Sequence, residues 1–198
     1  LALFAVLLAY AYMRRDGIRE AVEAGELESS PGPLSGDAPA YYRLALKTPF
    51  PGFTPEREPA IVLVGRAALA CFGNLSAGTL EEAGDARART RVLANHRVLR
   101  RTGIVLSLFA MTALFGAALL VAGRAGALLA AALWADSTWL SFYGAGFLRE
   151  DLTAAFTMAL VAALVGLHRV EARRPRFALA AAAAAAGAAL ALTRLETL

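Results

Sequence analysis

The chain has very few of the residues that build disulfide frameworks and metal centres. Cysteine occurs once, at Cys71, which excludes an internal disulfide and a zinc site with several cysteine ligands. The two histidines, His96 and His168, are solitary and flank basic residues. No second ligand stands at metal spacing from either one, so we expect neither to bind a metal. The sequence also contains no internal repeat, which leaves its apolar segments as the main source of information.

Apolar residues are in excess and lie in blocks. Of the 198 residues 58% are hydrophobic, and the mean hydropathy is +0.53. A soluble domain is nearer 45–50% apolar, so blocks rich in Ala, Leu and Val indicate a protein that crosses the membrane several times. The net charge of +4 could suggest nucleic acid as a partner. The basic residues, however, gather at the ends of the apolar blocks, as membrane topology predicts, so no nucleic-acid partner is expected.

Four apolar segments predict transmembrane helices, at 103–122, 126–146, 152–168 and 177–192. The run of Ala in the last segment is weakly apolar and predicts a helix that packs against other helices. Residues 1–12 predict a shortened first span. We therefore expect 1–198 to be a single membrane domain, a fragment from the N-terminal part of a longer protein.

Residues 13–102 predict a long outer loop. Residues 13–58 are polar and rich in turn residues, with eight acidic and six basic side chains. Residues 59–73 are apolar and open with Pro, but about 15 residues with Arg66 near their centre make a poor span. They predict a juxtamembrane helix that lies on the membrane. The predicted fold class is an all-α, polytopic transmembrane bundle with a long outer loop and this juxtamembrane helix.

The arginines predict the orientation. Residues 168–176 carry four arginines and one acid between two spans, so the positive-inside rule places them in the cytoplasm. Counting back through the spans puts 147–151, 74–102 and 13–58 outside. Two points oppose this topology: 74–102 is itself rich in Arg, and 13–58 would move inside if 59–73 crossed the membrane.

The order of these features resembles a known family. An apolar helix is followed by "GDAPAYYRLAL" (36–46), "EPAIVLVGRAALACFG" (58–73), an Arg-headed span, "YGAGFLREDLTAAF" (143–156) and "LALTRLET" (190–197). This order is similar to the N-terminal half of the C-type glycosyltransferase superfamily, in the bacterial branch related to dolichyl-phosphate-mannose-protein mannosyltransferases. The resemblance covers nearly the whole chain. It rests on the order of these segments, since no single motif among them is highly specific.

The resemblance implies a membrane enzyme and assigns roles to residues. Such enzymes transfer a sugar from a polyprenyl-phosphate donor to a protein, lipid or glycan acceptor at the outer face of the bacterial inner membrane. An acid in the first outer loop, here Asp37, is their catalytic or metal-binding group, and a second acid, here Glu150 or Asp151, follows an Arg in the next outer loop. The chain departs from the family's paired acids or His-Pro-Pro in the first loop, so the metal stays open, with a divalent cation as one option.

The residues themselves leave several roles open. Arg149, Glu150 and Asp151 are either a helix cap with an interfacial anchor, or a cluster facing a polar cavity that binds phosphate and sugar. Tyr41 and Tyr42 offer flat amphipathic surfaces for a sugar or for the interface. For both sets of residues, one of the two possible roles is purely structural.

Other arginines and one acid carry weaker expectations. Arg66, Arg100 and Arg101 could contact an anionic lipid carrier or ordinary headgroups. Asp136, inside a predicted span, is expected to pair with Ser137, Thr138 or a neighbouring helix's Arg unless it is functional. The alternative function for the whole chain is a transporter or flippase-like protein in which residues 148–151 gate or bind an ionic solute.

Overall fold

The computed structural model describes residues 1–24, 38–47, 59–137 and 149–193. These ranges contain helices and no strand. The helices are α1 (Ala2–Ala24), α2 (Ala38–Lys47), α3 (Pro59–Phe72), α4 (Ala86–Asp136), α5 (Arg149–Arg169) and α6 (Arg173–Leu192). The all-α prediction is therefore confirmed for the described residues.

Among the described residues, three helices are long and apolar enough to cross a membrane: α4, α5 from Leu152 onward, and α6. Their outward faces are apolar, with Val105, Phe109 and Val161 among the exposed large side chains. A helix covered with exposed apolar residues is expected to face lipid rather than water. The protein is thus a membrane protein by the length and composition of these helices.

Helix α4 is a hairpin with two arms, joined at Gly123. The first arm, 86–122, and the second arm, 124–136, meet at this residue, whose backbone has φ +69° and ψ −169°. Met111 from the first arm and Ala131 from the second share one apolar cluster with Phe4 and Ala11 of α1. Helix α1 packs against the first arm as well, where Phe4 stacks on Phe115 with ring centroids 3.9 Å apart.

We expect Gly123→Ala to destabilise the hairpin, because this combination of φ and ψ is essentially restricted to glycine and costs another residue about 1–3 kcal/mol. A Cβ on Gly123 would meet no atom within 4 Å, so backbone strain is the whole effect. Gly116 is the matched control: its Cβ would also be free, but it lies in regular helix, where Ala gains about 1 kcal/mol over Gly. Thermal unfolding in mild detergent should show opposite shifts, and equal shifts would contradict the turn.

A second apolar cluster, here called the junction core, joins the polar ends of the helices. It contains Ala38, Tyr41, Tyr42, Ala45, Ala60, Ile61, Val62, Leu69, Ala77, Val92, Leu99 and Leu152. Leu192, at the end of α6, packs against it. Since α5 leaves the junction core at Leu152 and α6 returns to it at Leu192, the α5–α6 turn lies away from this core. Gly166 of α5 closely approaches Leu179 of α6, as such a hairpin requires.

Two helices extend beyond the predicted spans. Helix α1 continues past the predicted span 1–12 to Ala24, and the predicted loop 13–58 includes α2. Arg14 explains part of the extension, because it forms an ion pair with Asp136 at the end of α4. Helix α4 begins before the predicted span at 103, at Ala86, where the Asp85 side chain accepts a hydrogen bond of 2.6 Å from Ala88 N. Such a cap satisfies a backbone N–H that the helix leaves open.

Candidate functional site

A polar stripe runs along the first arm of α4. His96, Arg100 and Ser107 are buried, with 5%, 1% and 3% of their surface exposed. Their spacing of four and then seven residues places them on one helix face. Six arginines occur between 86 and 102, so this part of α4 lies outside the apolar span that starts at Gly103. The stripe thus passes from the polar end of α4 into the beginning of the span.

Asn95, beside the stripe, joins three segments of the chain. Its Oδ1 accepts a hydrogen bond of 2.8 Å from Asn74 N, and its Nδ2 donates to Asn74 O at 2.8 Å. Nδ2 also donates to the Tyr42 hydroxyl at 3.1 Å. Gly73 permits this approach, since a Cβ there would lie 2.8 Å from Asn95 Oδ1. Asn95 therefore fastens the end of α3 and the middle of α2 to α4.

Tyr42 completes this connection from α2. Its hydroxyl donates to Gly78 O at 2.7 Å, and its ring meets His96 edge to face with centroids 4.7 Å apart. Burial raises the pKa of the hydroxyl, while the hydrogen bond from Asn95 acts in the opposite direction. Tyr41 and Tyr42 are only 1% and 2% exposed. They are core residues in this structure, and their role toward a sugar stays a prediction.

His96 is held in its neutral form. Burial, with a smaller contribution from the Arg100 charge, lowers the pKa of His96 from 6.5 to about 4. Its Nδ1 is buried and has no hydrogen-bond partner within the described part of the chain. A buried imidazole beside an arginine is costly to protonate.

We expect the protein to lose stability as the pH falls from 7 to 5. The folded pKa of His96 lies below the unfolded value, so the unfolded state takes up the proton first and the loss is about 2 kcal/mol. His96→Gln should remove this step, and His168→Gln, at an exposed position, should keep it. Chemical unfolding in detergent at several pH values measures both. If His96→Gln still loses stability between pH 7 and pH 5, another group is responsible for the loss.

Arg15 connects α1 to both arms of α4 and is fully buried. Its Nε donates to Ser107 Oγ at 3.0 Å, and one terminal nitrogen donates to Ala11 O at 3.1 Å. The other terminal nitrogen reaches Trp134 O at 3.5 Å. One turn further along, Arg19 is 5% exposed and pairs with Asp16 and Glu20. Two buried guanidinium groups therefore line α1 near the polar end of the bundle.

The predicted site residues other than Tyr41 and Tyr42 fall into three groups. Asp37 lies outside the described residues. Arg149 and Asp151 have described backbone at the start of α5, but their side chains lie outside the description, and Glu150 is exposed. Arg100 and Arg101 occupy different faces of α4, since successive helical residues are 100° apart, and Arg101 is exposed. Convergence of Asp37 with Asp151 or Glu150 around one cavity therefore stays a prediction.

Three members of the junction core are sequence neighbours of predicted site residues. Ala38, Leu99 and Leu152 are all fully buried there, with no exposed surface. In the sequence these three residues are the direct neighbours of Asp37, Arg100 and Asp151.

Two other expectations have clear outcomes. Asp136 does pair with a neighbouring helix's Arg: it accepts hydrogen bonds from Arg14 and from the Tyr10 hydroxyl, the latter at 3.2 Å. Arg66 donates to Ala45 O and Leu46 O at 2.9 and 3.2 Å. It thereby satisfies carbonyls at the C-terminal end of α2.

Sequence reasoning missed Arg15, Asn95 and Ser107. Ser107 lies within a predicted span, and its spacing from Arg100 and His96 on one helix face is a usable signal. Arg15 and Asn95 carry no such signal, because their partners are distant in sequence.

No group of three or more His, Cys, Asp or Glu side chains that could hold a metal occurs in 1–24, 38–47, 59–137 and 149–193. Comparison with protein-family models, with characterised proteins and with solved structures finds no match to this chain.

Proposed function

We propose that the protein is a membrane glycosyltransferase that moves a sugar from a polyprenyl-phosphate donor to an acceptor at the outer face of the bacterial inner membrane. The observation that supports this most is the junction core, which contains Ala38, Leu99 and Leu152. Their sequence neighbours are the carboxylates and the cation that the reaction needs. The family resemblance supplies the reaction class, and the packing supports a single site.

The proposed reaction is a displacement at the sugar's C1. The acceptor hydroxyl oxygen forms a bond to C1, and the bond from C1 to the phosphate oxygen breaks. Asp37 takes the proton of the hydroxyl as general base. The leaving polyprenyl phosphate carries the bonding electron pair away, and Arg149 together with Arg100 neutralises its charge. Glu150 or Asp151 would bind hydroxyl groups of the sugar or a divalent cation.

The charges at this end of the bundle are compatible with a site that takes an anion. Arg15 and Arg100 are 0% and 1% exposed, and both have interaction partners within the protein. Positive charge held in a poorly solvated place interacts strongly with phosphate. A transporter of anions would share this property, so charge alone does not separate the two functions.

A transfer assay separates them. Membrane vesicles that contain the protein are given polyprenyl-phosphate sugar, radiolabelled in the sugar, with a mixed membrane-protein and glycolipid acceptor fraction. We expect label in the acceptor fraction and an equal amount of free polyprenyl phosphate. Movement of the intact labelled donor across the vesicle membrane, without release of polyprenyl phosphate, would instead establish the transporter.

A further inference from the structure

A groove of about 560 Å³ lies between α3 and the first arm of α4. Such a volume lies within the range of small-molecule pockets, about 300–1,000 Å³. Its walls are mostly apolar and include Ala67, Cys71 and Phe72 from α3 and Arg101, Thr102 and Val105 from α4. Arg101 is the one charged side chain among the described residues that line it.

The position of the groove fits a lipid that stands in the bilayer. Arg101 and Thr102 come directly before Gly103, where the apolar span of α4 starts, so we expect them at headgroup level. Below them on the same face, Val105 and Phe109 are 63% and 52% exposed, and Phe72 on α3 is 81% exposed. A cation above a strip of exposed apolar side chains matches an anionic headgroup above an acyl chain.

The groove is separate from the proposed catalytic site. Arg101 points to a different side of α4 from Arg100, which is buried in the stripe with His96 and Ser107. Arg66, the arginine of α3, is bonded to carbonyls of α2. The groove therefore offers its own cation and its own apolar wall.

We infer that this groove binds one anionic phospholipid of the bilayer, with its phosphate on Arg101 and an acyl chain between α3 and α4. The bound lipid fastens α3 to α4 at the membrane surface. The inference does not rest on the proposed function, since a transporter would hold the same lipid.

Cys71 provides a reporter inside the groove. It is exposed and is the single cysteine of the chain, so a small fluorophore such as bimane labels this position alone. The labelled protein is placed in bilayers that contain phosphatidylglycerol or phosphatidylcholine with brominated acyl chains, at equal mole fractions. We expect brominated phosphatidylglycerol to quench the bimane fluorescence with about fivefold higher apparent affinity than brominated phosphatidylcholine. This is the selectivity that one arginine gives near an anionic surface.

Three variants test the assignment. Arg101→Gln should abolish the preference, while Arg91→Gln, at an exposed position of α4 away from the groove, should keep it. Ala67→Trp should fill the groove and reduce quenching by both lipids. Equal quenching by the two lipids in the unaltered protein, or an unchanged preference in Arg101→Gln, would overturn the inference. Displacement of brominated phosphatidylglycerol by an equimolar amount of polyprenyl phosphate would also overturn it and assign the groove to the sugar donor.

Discussion

Replacing Asp37 by Asn is expected to reduce sugar transfer by about 10²–10⁴-fold, the contribution of a well-placed general base. Asn retains the size of the side chain and removes its ability to take a proton from the acceptor hydroxyl. Binding of the donor should change little, because in the proposed reaction its phosphate is neutralised by Arg149 and Arg100. The vesicle assay with labelled polyprenyl-phosphate sugar measures the rate, and retention of the donor on the protein measures binding.

Glu171→Gln is the matched control for Asp37→Asn. Glu171 is exposed in the turn between α5 and α6, away from the junction core, and its replacement removes a carboxylate of the same charge. We expect an unchanged rate in this variant. Wild-type turnover in Asp37→Asn at equal protein level would remove the catalytic role of Asp37 and leave a residue that only precedes a helix.

The second large effect is expected on stability, from Asn95→Ala. The change removes all three hydrogen bonds through which Asn95 connects α2 and the end of α3 to α4. Each buried polar group that loses its partner costs about 1–3 kcal/mol, and some of the groups on Asn74 can still reach water. We therefore expect a loss of about 3 kcal/mol, which lowers the thermal midpoint by roughly 6–12 °C for a chain of this size.

Asn74→Ala controls for this effect. The Asn74 side chain accepts one exposed hydrogen bond, from Ser76 N, while the contacts to Asn95 use the Asn74 backbone and persist in the variant. A loss below about 1 kcal/mol is expected, as for a single exposed hydrogen bond. Equal midpoints for Asn95→Ala and Asn74→Ala would show that the junction of α2, α3 and α4 does not depend on Asn95.

The sequence predicted three of the four apolar spans because their signal is local, whereas the helix in the fourth predicted span, 126–146, ends at Asp136. The long runs that begin at Gly103, Leu152 and Phe177 lie in helices that can span a membrane, as their length and hydropathy require. The start of α4 was also readable in principle: Asp85 followed by helix-forming Ala and Arg residues is a capping pattern. The charge of 74–102 favoured a loop in the sequence prediction. A polar helix can, however, extend from a membrane span, as 86–102 does.

The extension of α1 could not be read from local pattern. Residues 13–24 hold charged residues and a glycine, and their helix is supported by contacts that lie far away in sequence. Arg14 meets Asp136, and Arg15 meets Ser107 and Trp134. In the same way Arg66 near the centre of α3 looked like a lipid contact, while its partners are backbone carbonyls of α2. Tertiary partners decide these positions, and composition does not reveal them.

The central claim, that Asp37 and Asp151 serve one site, is tested most directly by a distance between them. Spin labels are attached at Asp37→Cys and Asp151→Cys in a Cys71→Ser background, and the dipolar coupling is measured in lipid nanodiscs. We expect a separation well below the thickness of the hydrocarbon core, about 30 Å. A single population at or above that thickness would place the two acids on opposite membrane faces and contradict the shared site.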